Sequence, residues 1–126
     1  MLTRKTPEAD AQRAIVALLR VVLPHGSIVH HSANEVTGGG AKARQRQAIL
    51  VGMGVFAGFS DLIILSEGRV MLLEVKSRAG RLTEAQERFR DMVVAQGLPW
   101  ALVRTPQDAV AALHAAGFKL SVRGVS

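Results

Sequence analysis

Two aliphatic segments joined by a very short polar turn constrain the fold of this chain more than any other feature of its sequence. Residues 62–65 and 70–76 consist almost entirely of Leu, Ile, Val and Met, with charged side chains only near the end of the second segment. Between them, Ser66-Glu67-Gly68-Arg69 predicts a hairpin whose two turn residues are Glu67 and Gly68. Strands that are apolar on both faces are typical of the interior of a sheet. We therefore expect this hairpin to lie centrally, with other elements packed on both sides.

The register of the hairpin places two carboxylates side by side. Counted outward from the turn, Ser66 pairs with Arg69, and the same ladder brings Asp61 opposite Glu74. Facing residues have Cβ atoms roughly 4.5–5.5 Å apart, and like charges at that spacing are destabilising unless a proton or a cation lies between them. Lys76 follows two residues after Glu74, so its side chain projects from the same face.

This charged cluster fits a site for a hard divalent cation. Two carboxylates, together with water and a substrate phosphate, supply the oxygen ligands that Mg²⁺ or Mn²⁺ accepts. Such an ion lowers the pKa of water and neutralises charge that develops on the phosphate, while Lys76 is suited to orient the attacking water or to help deprotonate it. The alternative interpretation is a solvent-exposed pair of Glu74 and Lys76 at a strand end, with Asp61 capping a loop.

Helices and further strands are predicted on either side of the hairpin. Each predicted helix begins at a threonine with an N-terminal capping signature: 6 to about 23, 83 to about 97, and 105 to 117. Further strands are expected at 27–31, 100–104 and 118–122. A basic, glycine-rich stretch at about 36–48 is expected to be a mobile loop. This order predicts a single domain over residues 1–126 with α/β or α+β architecture and a mixed sheet.

The charge balance of the chain indicates a polyanionic partner. Sixteen Lys and Arg against ten Asp and Glu give a formal charge of +6, which favours nucleic acid first and a membrane surface second. No apolar run approaches the roughly 20 residues that span a membrane, and the N-terminus lacks the apolar core of a signal peptide. The absence of cysteine excludes disulfides, thiolate zinc sites and cysteine nucleophiles. We expect a soluble, intracellular protein without a membrane partner.

Basic side chains in two segments are candidates for contacts to DNA phosphates. Lys42, Arg44 and Arg46 lie in the glycine-rich stretch, where an ordinary solubilising loop is the alternative, and Arg78 and Arg81 follow the second strand of the hairpin. Aromatic residues are few and tyrosine is absent. We therefore expect binding directed by the backbone and shape of duplex or branched DNA, not by base stacking.

Three blocks of sequence resemble a known nuclease domain. They are Gly52-x-Gly54-x-x-x-Gly58-Phe59-Ser60-Asp61-Leu62-Ile63-Ile64-Leu65, Leu73-Glu74-Val75-Lys76-Ser77 and Gly80-Arg81-Leu82-Thr83-x-x-Gln86. In this joint spacing they are closely similar to the VRR-NUC domain of the PD-(D/E)XK nuclease superfamily, and the first predicted helix extends the resemblance over nearly the whole chain. Phe59-Ser60 depart from the Val-Pro that is usual in that family. The backbone before Asp61 therefore lacks the rigidity of a proline, but no ligand is lost.

The resemblance implies an α/β fold with a restriction-endonuclease-like core, a mixed central sheet flanked by helices. It implies Mg²⁺- or Mn²⁺-dependent hydrolysis of DNA phosphodiesters. It also implies two carboxylates and one backbone carbonyl as metal ligands, namely those of Asp61, Glu74 and Val75. Lys76 corresponds to the catalytic lysine of the family.

Two further residues correspond to site residues of the family, and each has a simpler explanation. Glu8 matches the acidic residue that completes the acidic cluster, although an acidic residue in the first turn of a helix is favoured by the macrodipole alone. Gln86 matches a supporting or substrate-contacting glutamine, but it is also the last member of the capping box. His30 and His31 are adjacent in a predicted strand and therefore face opposite sides, so at most one of them approaches the site.

The resemblance favours an endonuclease acting on branched or flapped duplex DNA in replication or repair, in the cytoplasm of a bacterial or phage-infected cell. A homodimer is an expectation for small stand-alone domains of this kind. Two alternatives stay open at this point. One is a DNA-binding module that keeps the fold without cutting, and the other is a metal-dependent enzyme acting on a different phosphoester.

Overall fold

The computed structural model describes residues 6–32 and 40–121, which contain four helices and four strands. In chain order these are α1 Pro7–Val22, β1 Ile28–His31, α2 Gly40–Gly52, β2 Leu62–Ser66, β3 Arg69–Val75, α3 Glu84–Ala95, β4 Trp100–Val103 and α4 Pro106–Ala115. Thr6, Thr83 and Thr105 cap α1, α3 and α4, each accepting a hydrogen bond from a backbone N–H three residues later. The three capping signatures in the sequence are thus confirmed. No helix in the described part of the chain combines the length and apolarity that crossing a membrane requires.

The strands form one mixed sheet in the order β1-β2-β3-β4, antiparallel except for the parallel pair β3 and β4. The turn between β2 and β3 consists of Glu67 and Gly68, with φ angles of 49° and 80°. Two successive left-handed residues are typical of the turn whose twist matches a hairpin. Ser66 pairs with Arg69 and the ladder continues without a bulge to the last pair, which confirms the predicted register.

Helices cover both faces of the central strands. One face packs against α1 and α4 around fully buried aliphatic side chains, among them Ile15, Leu19, Leu62, Ile64, Leu73 and Leu113. On the other face, Phe89 and Val93 of α3 pack on Leu72. Residues 71–75 of β3 are consequently all buried, which confirms the central position predicted for the hairpin.

The prediction of a loop at about 36–48 is wrong for the residues that the structure describes. Residues 40–52 form α2, and 36–39 lie outside the described residues. Ala, Lys, Arg, Gln and Leu all have high helix propensity, which is sufficient here although the segment has no apolar stripe. Ala43 is the one buried residue of this helix, so α2 is mostly exposed.

The prediction of a strand at 118–122 is also wrong for its described part. The backbone N–H of Phe118 donates to the carbonyl of Leu113 at 3.0 Å, and that of Ser121 donates to the carbonyl of Val22 at 2.7 Å. These amides satisfy carbonyls at the ends of α4 and α1 instead of extending the sheet. Val122 lies outside the described residues.

Candidate metal centre and its cavity

The hairpin brings three charged side chains to one buried position. Asp61 and Glu74 lie immediately beyond Leu62 and Leu73, the pair of the β2–β3 ladder that is farthest from the turn. Lys76 follows Glu74 by two residues. Because alternate residues of a strand share a face, Glu74 and Lys76 project toward the side covered by α3. Asp61, Glu74 and Lys76 are 5 %, 1 % and 8 % exposed. The interpretation of Glu74 and Lys76 as a solvent-exposed pair is therefore wrong.

Glu8 adds a third carboxylate from α1. The Thr6 cap places it in the first turn of that helix. One carboxylate oxygen from each of Glu8, Asp61 and Glu74 lies within 4.8 Å of the other two. Asp10, in the same helical turn, instead pairs with Arg13 at 3.2 Å on the surface. The structure thus brings together the three acidic residues that the sequence singles out, and we call them the acidic cluster.

Burial dominates the electrostatics of the acidic cluster. It raises the pKa of Glu74 to about 10, and the neighbouring carboxyl of Asp61 adds to this shift while the charge of Lys76 opposes it. A proton on Glu74 relieves the repulsion between facing carboxylates at neutral pH. A divalent cation would relieve the same repulsion, so the proton and the cation compete for these oxygens.

The donor set of the acidic cluster fits a hard cation. Oε1 of Glu74 is buried and has no hydrogen-bond partner among residues 6–32 and 40–121. A buried acceptor without a partner is costly, and a cation ligated by this oxygen would remove that cost. All three side chains offer carboxylate oxygens, which are the ligands that Mg²⁺ and Mn²⁺ prefer.

Two hydrogen bonds hold the carboxylates of the hairpin. Oδ2 of Asp61 accepts from the backbone N–H of Val75 at 2.8 Å, and Oε2 of Glu74 accepts from Nε2 of Gln86 at 3.1 Å. At the same time, Oε1 of Gln86 accepts from the backbone N–H of Thr83 at 2.9 Å. One glutamine therefore both closes the capping box and contacts the cluster. Metal ligation by the Val75 carbonyl stays a prediction.

The segment after β3 folds over Lys76. A Cβ atom built on Gly80 would lie 3.4 Å from both Cβ and Cδ of Lys76, so the backbone at Gly80 covers the aliphatic part of the lysine. Arg104, just after β4, holds this segment because its Nη1 donates to the carbonyls of Ser77 and Gly80 at 2.5 and 2.8 Å. Sequence reasoning missed Arg104, since a basic residue after a strand gives no sign of its partners.

One of the two histidines lies next to the cluster. Nδ1 of His31 is 3.0 Å from Nε2 of Gln12 and 3.1 Å from the backbone oxygen of Asp61. These contacts connect α1, which carries Glu8, to the backbone of Asp61. His30 occupies the preceding position of β1, so the alternation of a strand directs it to the opposite side. Gln12 was missed because nothing in its local sequence marks it.

A cavity of about 500 Å³ opens onto the cluster, a volume within the range of ligand sites. Its polar lining includes Glu8, Gln47, Asp61, Lys76, Thr83 and Gln86. Its apolar lining includes Val55, Phe56 and Phe59, which sequence reasoning did not assign to the site. We call the whole space the active-site cavity.

The basic residues predicted to contact DNA lie on two segments that border this cavity. Lys42, Arg44 and Arg46 are exposed on α2, whose Gln47 lines the cavity. Arg78 and Arg81 are exposed on the segment between Lys76 and Thr83, which also line it. Contact of these side chains with DNA stays a prediction.

Comparisons with known proteins converge on one description. A family model for the VRR-NUC domain matches residues 32–106. A solved structure titled "VRR_NUC domain protein" has a TM-score of 0.67 and 20 % identity, and covers 90 % of this chain and 89 % of its own. Another, titled "VRR_NUC domain", has a TM-score of 0.56 and 16 % identity, and covers 90 % of this chain and 100 % of its own. No curated protein sequence matches the chain. The structural likenesses confirm the α/β fold predicted with a mixed sheet between helices.

Proposed function

The chain belongs to the VRR-NUC domain family, and on that premise we propose that it is a metal-dependent nuclease that hydrolyses phosphodiester bonds in DNA. The observation that carries this proposal is the acidic cluster, with three carboxylate oxygens within 4.8 Å of one another and one of them on a buried, hydrogen-bonded strand residue. A protein that only binds DNA gains nothing from facing carboxylates that repel both each other and the phosphate backbone.

Glu8, Asp61, Glu74 and the carbonyl of Val75 would hold Mg²⁺ or Mn²⁺. When bound, the cation would lower the pKa of water and neutralise charge that develops on the phosphate. Within the protein, the Val75 N–H and the Gln86 amide orient Asp61 and Glu74.

Lys76 has a role of its own in the proposed reaction. It lines the active-site cavity close enough to the cluster to lower the pKa of Glu74. From there its ammonium group would position the attacking water next to the scissile phosphate, or, in the neutral amine form, its nitrogen would accept the proton of that water.

DNA is the proposed partner because the chain carries a formal charge of +6 in spite of its acidic cluster. Lys42, Arg44 and Arg46 on α2, with Arg78 and Arg81 after β3, would contact phosphates on either side of the active-site cavity. The family resemblance further favours endonucleolytic cleavage of branched or flapped duplexes in repair, by a homodimer in the cytoplasm of a bacterial or phage-infected cell. We propose the mode of cleavage, the DNA structure, the homodimer and the location on this resemblance.

The proposal is tested by cleavage of a supercoiled plasmid and of a flapped duplex, with Mg²⁺, with Mn²⁺ and with EDTA. We expect cleavage with either ion and none with EDTA. Asp61→Asn and Lys76→Ala should each lower the rate by about 100-fold or more, because general acid–base and ligand groups contribute factors of that order.

A matched control separates the cluster from its helix. Glu8 and Asp10 both lie in the first turn of α1, but Asp10 pairs with Arg13 on the surface. Glu8→Gln should lower the rate, whereas Asp10→Asn should leave it unchanged. Cleavage that survives both Asp61→Asn and Lys76→Ala would refute the proposed site. Tight DNA binding by fluorescence anisotropy without any cleavage would instead favour the non-cleaving module.

A further inference from the structure

The active-site cavity joins an acidic cluster to an aromatic surface. Phe56 lines the cavity together with Asp61 and Lys76, yet 44 % of its surface is exposed. Phe59 lines it as well and is partly buried. A metal and phosphate site alone needs no aromatic lining, because its ligands are oxygens and cations.

The aromatic surface is held rigidly. Phe89 of α3, which is 4 % exposed, packs against Phe59 with ring centroids 4.7 Å apart and against Phe56 at 5.8 Å. The backbone between these two side chains is pinned to the same helix. At Gly58 (φ +80°) an added Cβ would lie 2.2 Å from the backbone oxygen of Ala85, so glycine is required for this close approach.

This arrangement supplies what a nucleobase needs for stacking. A base is a flat π-system of low charge, and an exposed ring that is fixed from behind by a buried ring loses little side-chain entropy when the base stacks on it. Stacking on aromatic side chains tolerates any base, which suits a nuclease that reads little sequence. The sequence contains only four phenylalanines, but two of them, Phe56 and Phe59, line the cavity, and a third, Phe89, packs against both.

The geometry points to a base-binding subsite on Phe56, which takes the nucleobase adjacent to the scissile phosphate. This inference rests on the proposed nuclease function. A base inside a duplex presents only its edges, so it must leave the helical stack before its face can meet Phe56. The subsite therefore selects DNA in which the nucleotide next to the scissile phosphate is unpaired, as at a flap, a mismatch or a frayed end.

The test compares two substrates that differ at one position. After the cleavage position of the wild-type protein has been mapped, kcat and KM are measured on a duplex with an unpaired base next to that position and on the same DNA with an abasic site there. Removing the base should raise KM for wild type by about 5- to 150-fold, the range expected for one stacked base. Phe56→Ala should raise KM for the base-containing DNA to the abasic level and leave the abasic substrate unaffected. Phe56→Trp should restore the discrimination.

Two control variants keep the result interpretable. Phe56→Leu retains an apolar side chain against Phe89 but has no π-face, so it should fold like wild type and still lose the discrimination. Met53→Ala removes an apolar side chain that is 79 % exposed and does not line the active-site cavity, and it should change neither substrate. Equal effects of Phe56→Ala on both substrates, or no effect on either, would overturn the subsite while leaving the nuclease proposal intact.

The same pair of DNAs also tests the subsite without cleavage. If the wild-type protein cuts no DNA with Mg²⁺ or Mn²⁺, the proposed function fails, and an abasic site is then moved along a flapped duplex in a binding titration followed by fluorescence anisotropy. A position at which base removal weakens binding by wild type but not by Phe56→Ala would support the subsite. The absence of any such position would overturn it.

Discussion

Replacement of Gln86 by glutamate separates two roles that one side chain performs. Its Oε1 closes the capping box of α3 at 2.9 Å from the Thr83 N–H, while its Nε2 donates to Glu74 at 3.1 Å. Glutamate closes a capping box as well as glutamine does, but it has no N–H to donate. Gln86→Glu therefore preserves the helix start, removes the donor to Glu74 and places a further carboxylate beside the acidic cluster.

The expected magnitudes follow from these two contacts. A hydrogen bond to a charged group contributes about 1.5–3 kcal/mol, so loss of the Gln86–Glu74 contact should weaken Mn²⁺ binding or lower kcat by about 10- to 150-fold. The free energy of unfolding without metal should fall less than in Gln86→Ala, because the cap persists and a protonated Glu74 limits the repulsion from the new carboxylate. Gln86→Ala loses both contacts and should additionally destabilise the fold by about 1 kcal/mol.

Two measurements are needed on the same proteins. Isothermal titration with Mn²⁺ gives metal affinity, and urea unfolding in EDTA gives stability. Thr83→Ala is the matched control, because it removes the N-cap hydroxyl but leaves the Gln86 amide facing Glu74. It should lower stability more than metal affinity. Unchanged metal affinity and kcat in Gln86→Glu would refute the positioning role, and a loss of stability as large as in Gln86→Ala would refute the capping argument.

Three further predictions address the pKa of Glu74, the close approach at Gly58 and the contacts of Arg104. Because burial raises the pKa of Glu74 from 4.5 to about 10, the native state retains a proton that the unfolded state releases within that window. Stability in EDTA should therefore fall as pH rises from about 5 to 9, and Glu74→Gln should flatten this dependence in urea unfolding; a rise in wild-type stability over the same range would contradict it. Gly58→Ala should lower the free energy of unfolding by about 2–5 kcal/mol, because it combines a left-handed backbone with a backbone clash. Gly97→Ala has the same positive φ (+82°) but open space around it, and should lower the free energy of unfolding by about 1–2 kcal/mol. Equal losses in melting experiments would rule out the clash. Arg104→Ala removes the donor to the carbonyls of Ser77 and Gly80, and should lower the free energy of unfolding by about 1–3 kcal/mol and reduce kcat. Arg88→Ala, on the exposed surface of α3, should change neither quantity. An unaffected kcat in Arg104→Ala would show that the segment over Lys76 needs no support.

The sequence predicts the parts of the fold that depend on short-range rules. A two-residue turn fixes the register of the hairpin, and counting from it suffices to place Asp61 near Glu74. Threonine caps likewise predict the starts of α1, α3 and α4. The helix α2 is not predicted in this way, because apolar periodicity marks the buried face of a helix. A helix that buries only Ala43 has almost no apolar periodicity. For such a helix, propensity is the better signal.

The residues of the candidate site are likewise placed partly by local rules and partly by tertiary packing, and this difference affects the stability of the site. Asp61, Glu74 and Lys76 are placed by one hairpin, so local rules predict them. Glu8 reaches them only because α1 packs its buried stripe, centred on Ile15 and Leu19, against the sheet. The acidic cluster is therefore completed by tertiary packing, and the one carboxylate that α1 adds increases the repulsion that packing must overcome. A cation that binds the three carboxylates stabilises the native state alone, because the unfolded chain does not hold them together. Metal binding and the docking of α1 should accordingly strengthen each other, even though Glu8 is remote in sequence from the hairpin that carries the rest of the site.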